Sequence, residues 1–95
     1  MEIRLALEAE QDLIEIFDYI LAEDPLAAEK ILDYIIDEIQ HFSNHPYIGR
    51  SGRVPGTREL ILTKTPFIIP YQVTEDMLVI LRVYHMARKW PDQFD

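Results

Sequence analysis

The 95-residue chain has no cysteine. That excludes a disulfide framework and any Cys-ligated metal, and it fits a reducing compartment. Glycine is scarce, and Gly49, Gly52 and Gly56 all fall within 46–56. No apolar run approaches the roughly 18 residues of a membrane span. The N-terminal MEIRLALEAEQ carries acids where a signal peptide carries bases. A soluble, cytoplasmic protein without a membrane partner is expected. Basic residues are few, nine lysines and arginines against seventeen aspartates and glutamates, for a net charge of −8.

Apolar residues at 48% and charged residues at 27% make an ordinary globular balance. The length predicts one domain over 1–95, with room for one modest core. The charge is uneven. Residues 1–45 hold twelve acids and two bases, Arg4 and Lys30, whereas residues 46–95 hold seven bases and five acids. Two readings stand: the acids only solvate two helices, or the basic half faces an anionic partner.

Ile3, Leu5 and Leu7 alternate with Glu2, Arg4 and Ala6, the period of a short strand. Ala9, Leu13, Ile16 and Ile20 then follow helical spacing over 8–22, with Phe17 and Leu21 widening the stripe and Glu8, Asp12, Glu15 and Asp18 largely off it. Asp24-Pro25 supplies an N-cap and a proline at the first helical position. Ala28, Ile31, Ile35, Ile39 and Phe42 carry a second helix, which ends at Ser43-Asn44-His45-Pro46. So short a connection predicts an antiparallel helical hairpin. Residues 46–56 read as a loop. Three strands should follow over 57–63, 67–73 and 77–84, as an antiparallel meander with short turns. Pro70 cannot donate to a ladder, so its strand should be an edge or bulged there. The tail HMARKWPDQFD allows one helical turn before Pro91. The expected fold is α+β, in the order β-α-α-β-β-β, with the hairpin packed on one face of a small antiparallel sheet.

That order resembles the toxins of the RelE/ParE superfamily, ParE-like members above all. The motifs are Pro46, Gly49 and Arg50 ahead of Thr57-Arg58-Glu59-Leu60; the strand Phe67-Ile68-Ile69-Pro70-Tyr71-Gln72-Val73; and Ile80-Leu81-Arg82-Val83-Tyr84-His85-Met86-Ala87-Arg88, followed by Lys89-Trp90. The resemblance runs over essentially the whole chain. It implies the toxin of a type II toxin–antitoxin pair, held inactive by a cognate antitoxin. ParE-like members poison DNA gyrase; RelE-like members are ribosome-associated endoribonucleases that cut mRNA.

The second activity needs a base, cations on the phosphate and an acid, and no metal. Its candidates are Arg58, Arg82 and His85, with Glu59 and Tyr84 behind them. The bland reading is that His85 only bonds a backbone carbonyl at a strand end. Arg58 and Glu59, as strand neighbours, point to opposite faces. A chain at −8 is a poor ligand for ribosomal RNA, where each neutralised phosphate strengthens binding; a protein target such as gyrase is less affected. Arg50, Arg53, Arg58, Arg82, Arg88, Lys89 and Trp90 are candidates for binding antitoxin or target, with antitoxin carboxylates expected on Arg58, Arg82 and Arg88. Trp90 and Phe94 either pack on the sheet or anchor a partner. His41 and His45 have metal spacing on a helix, but His45 falls in the loop and no third ligand is apparent, so neither a metal nor another cofactor is expected. The loop Gly49–Arg53 lacks the Lys-Ser/Thr ending of a nucleotide site. The apolar surface of the two helices leaves room for a homodimer through the hairpin.

Overall fold

The structure, a computed structural model, describes residues 1–86; the expectations for Arg88, Lys89, Trp90 and Phe94 lie outside the described residues. The elements are β1 (Glu2–Leu5), α1 (Leu7–Glu23), α2 (Pro25–Phe42), β2 (Arg50–Ser51), β3 (Arg58–Ile61), β4 (Phe67–Val73), β5 (Met77–Ile80) and β6 (Tyr84–His85). Two helices pack on a mixed sheet, an α+β fold. Asp24 makes the hairpin: its N–H closes α1 on the Ile20 carbonyl at 2.7 Å, and its carboxylate caps α2 by accepting from the Ala27 N–H at 3.2 Å. Leu13, Ile16 and Ile20 of α1 face Ala28, Ile31 and Ile35 of α2 across the seam.

The core lies between α2 and the middle of the sheet. Ile35, Ile39 and Phe42 pack with Phe67, Ile69 and Tyr71 of β4 and with Leu78 and Ile80 of β5. Phe42 meets Tyr71 edge to face at 4.8 Å, a favoured aromatic geometry.

The sheet order is β1-β5-β4-β3-β2, and β6 also pairs with β4. Three details differ from the sequence expectation. The sheet is mixed, because β1 runs parallel to β5, from Glu2↔Met77 to Leu5↔Ile80. No tight turn joins β1 to its neighbour, so nothing imposes the antiparallel sense. The loop contributes a two-residue strand, β2, on Glu59 and Arg58. The last strand is broken at 81–83, and Pro70 accounts for it. Pro70 lies in the central strand β4, not at an edge, and its carbonyl accepts from the Leu81 N–H at 2.9 Å. A residue's N–H and C=O face the same neighbour in an antiparallel ladder, so the missing donor faces this partner. Tyr71 pairs with Ile80 and Ile68 with Tyr84, which leaves Leu81, Arg82 and Val83 opposite only Ile69 and Pro70. The extra residue is a β-bulge, but it lies in the strand opposite Pro70, whereas the sequence expectation placed the edge or bulge in Pro70's own strand.

Candidate functional site

The bulge determines what Arg82 does. Its Nε and Nη2 donate to Oδ2 and Oδ1 of Asp12 at 2.7 and 2.9 Å, and the Val83 N–H donates to the same Oδ2 at 3.0 Å. The guanidinium also lies over the buried Tyr84 ring, 4.7 Å from its centroid. The Asp12 hydrogen bonds hold the Arg82 pKa above its ordinary value, against partial desolvation. Arg82, a sequence candidate for phosphate or antitoxin binding, is in this structure the ion-pair partner of Asp12 on α1. Asp12 is not part of the solvated face of α1: it is buried.

Glu59 is a second internal hub. Its side chain is 0% exposed. Oε1 accepts from Arg50 Nε and Nη2 at 3.1 and 2.9 Å, and Oε2 accepts from the Arg53 backbone N–H at 2.8 Å, with Arg53 Nε at 3.6 Å. This carboxylate fastens the 50–53 segment to β3. Buried and doubly paired, it is no accessible general base.

Arg58 and Tyr71 share the opposite face, where they clamp the loop after α2. The Tyr71 hydroxyl donates to the Pro46 carbonyl at 2.9 Å and accepts from the Gly49 N–H at 3.1 Å. Arg58 Nη1 donates to the carbonyls of Tyr47 and Gly49 at 3.1 and 2.9 Å. Only glycine fits at 49, because a Cβ there would collide with the Tyr71 hydroxyl and come within 2.8 Å of the Glu59 carbonyl. The loop is thus held backbone-first, while the side chains of Tyr47 and Ile48 stay exposed.

Burial pushes the Tyr71 phenol above its ordinary value of 10.0, outweighing the Gly49 hydrogen bond and the Arg58 charge that pull it down. A folded-state pKa above the unfolded one leaves stability untouched below about pH 10 and erodes it as pH rises beyond, by at most about 1.4 kcal/mol per pH unit. Urea unfolding should show Tyr71→Phe less stable than wild type at neutral pH, by about 1–3 kcal/mol for two hydrogen bonds. The gap should narrow towards about pH 11; curves that fall in parallel would assign the alkaline loss to another group.

His85 pairs with Phe67 at one end of β4 and Arg58 pairs with Tyr71 at the other. Four residues of strand offset them by ~13 Å along β4, and they flank it on opposite sides, two strand spacings apart. His85 is exposed and sets its ring edge to face on Phe67 at 5.9 Å. The fold does not gather Arg58, Arg82 and His85 around one point. Among the described residues no group of three or more His, Cys, Asp or Glu is placed to hold a metal; His41 and His45 stand as a pair, ring centroids 6.0 Å apart.

What the surface offers instead is apolar. A groove of about 950 Å³ runs between the end of α2 and β3, with Phe42, Ile48, Leu60 and Ile61 among its walls. A smaller one of about 360 Å³ lies between β1 and the helices, lined by Leu5, Leu13 and Ile36 among others. On α1, Leu7, Ile14 and Leu21 are 65%, 60% and 40% exposed. Their spacing of seven was the available sequence signal. Leu21 was counted with the core stripe instead.

Comparison with known proteins finds relatives in sequence and in fold. The family described as ParE toxin of type II toxin–antitoxin system, parDE, matches residues 3–90. Y4kP of Sinorhizobium fredii is 40% identical over 89 residues, covering 94% of this chain and 92% of that protein. The toxin RelE3 of Caulobacter vibrioides is 27% identical over 89 residues, 92% of this chain and 96% of the relative. Among solved structures, a chain of the chromosomal ParDE TA system from P. aeruginosa superposes with a TM-score of 0.82 at 28% identity, over 90% of this chain and 95% of that one.

Proposed function

Since the chain belongs to the ParE toxin family within the RelE/ParE superfamily, and so is the toxin of a type II pair with a cognate antitoxin, we propose that it arrests growth by poisoning DNA gyrase. The observation that carries this reading is the dispersal of the RNA-cleaving set. Arg82 is spent on Asp12, Glu59 on Arg50 and Arg53, and His85 sits a strand's length from Arg58. A metal-free ribonuclease needs acid, base and cation within reach of one phosphate. The net charge of −8 adds to it, because a protein target demands no counterion release. In this reading Arg50 and Arg53, half-exposed beside Glu59, and Arg88, Lys89 and Trp90 of the C-terminal segment are the residues of the basic half that contact the target.

The test is a supercoiling reaction with purified gyrase, ATP and plasmid. Linear DNA should accumulate with the chain present, and His85→Ala should leave both that product and growth arrest intact. Codon-linked mRNA cuts by primer extension, abolished in His85→Ala, would replace this reading with the ribonuclease one.

A further inference from the structure

We propose that the antitoxin segment that docks on the helical hairpin is a basic, amphipathic helix, the reverse of the acidic segment that the arginines in the sequence call for. The inference rests on the toxin reading for the partner's identity, but not for its chemistry. One face of α1 carries Leu7, Glu10, Ile14, Asp18 and Leu21 at spacings of three, four, four and three, all exposed. Such spacing stacks side chains in one stripe, about 21 Å long at the helical rise from Leu7 to Leu21. Large apolar groups therefore alternate with carboxylates along a ready-made ridge. Among the described residues, no salt bridge engages Glu10 or Asp18.

Among the described residues, the arginines that would have received acidic side chains are engaged within the chain. Of the three expected to meet antitoxin carboxylates, Arg82 is held by Asp12 and Arg58 by the carbonyls of Tyr47 and Gly49, while Arg88 lies outside the described residues. What the hairpin shows a partner is apolar and negative. Residues 1–45 hold twelve acids against two bases, so a second copy laid on this face would set carboxylates against their own kind, and like charges in contact are disfavoured. A helix with Lys or Arg flanking an apolar stripe satisfies both features, because ridges at these spacings receive a helix and opposite charge steers and registers it.

The test uses two peptide probes with one leucine stripe, flanked in one by lysine and in the other by glutamate, followed by fluorescence anisotropy. The lysine probe should bind at least about tenfold tighter, and added salt should weaken it. Glu10→Lys/Asp18→Lys should lose at least about tenfold in affinity for it, whereas Glu75→Lys/Asp76→Lys, the same charge change in the β4–β5 turn, should lose less than about threefold. Circular dichroism melts check that both variants fold. Equal binding of the two probes, preference for the glutamate probe, equal losses in the two variants, or a homodimer dissolved by Ile14→Glu would each overturn the proposal. None of these readouts depends on growth arrest or gyrase, so the surface chemistry and the toxin reading fail separately.

Discussion

Replacing Arg82 by alanine is expected to destabilise the protein by about 3–5 kcal/mol, the range for removing one partner of a buried ion pair. Asp12 is buried, and without Arg82 it keeps a single hydrogen bond, from the Val83 N–H. A buried carboxylate that has lost its cationic partner leaves its desolvation uncompensated. Thermal unfolding should shift down by more than about 12 °C for a domain of this size. The double variant Asp12→Leu/Arg82→Leu should recover most of the loss, because apolar replacement of a whole buried pair is often near neutral. It should stop short of wild type by about 1–2 kcal/mol, since the Val83 N–H then has no acceptor. A double-mutant cycle measures the coupling. If Arg82→Ala kept full stability and lost only toxicity, Arg82 would be an outward-facing functional cation after all.

Removing Arg50 and Arg53 together should be the next most damaging change. The Glu59 side chain is 0% exposed, whereas those of Arg50 and Arg53 are 51% and 47% exposed. The asymmetry sets the sign of the comparison. Cations that are half in water re-solvate readily, but a wholly buried carboxylate cannot. Arg50→Ala/Arg53→Ala is therefore expected to lose about 3 kcal/mol or more, and Glu59→Gln only about 1–2 kcal/mol, because the amide oxygen can still accept from the Arg53 N–H. Urea midpoints at a constant m-value separate the two. A larger loss in Glu59→Gln would mean that the pair is held by the arginines' own packing.

The helices were legible in the sequence because their signals are local. Apolar spacing marked the stripes of α1 and α2, and Asp24-Pro25 marked the boundary between them. The three longer strands were legible from runs of apolar and β-branched residues between turns. Asp12 was not: its position on the wheel reads as solvent-facing, and only the arrival of the bulge seventy residues later makes it a buried acceptor. The internal partners of Arg50 and Arg82 were illegible for the same reason. A guanidinium has the same sequence signature whether its carboxylate belongs to a partner or to the chain itself.

By itself the sequence determined the α+β class, the hairpin and the family motifs, because backbone periodicity, caps and turn residues act over a few neighbours. The tertiary structure alone decided the direction of β1, the bulge opposite Pro70 and the internal pairing of Arg82 with Asp12 and of Arg50 with Glu59. Each of these depends on which distant groups meet once the chain is compact. A buried charge or an unpaired N–H must find its partner there, whatever its place along the chain.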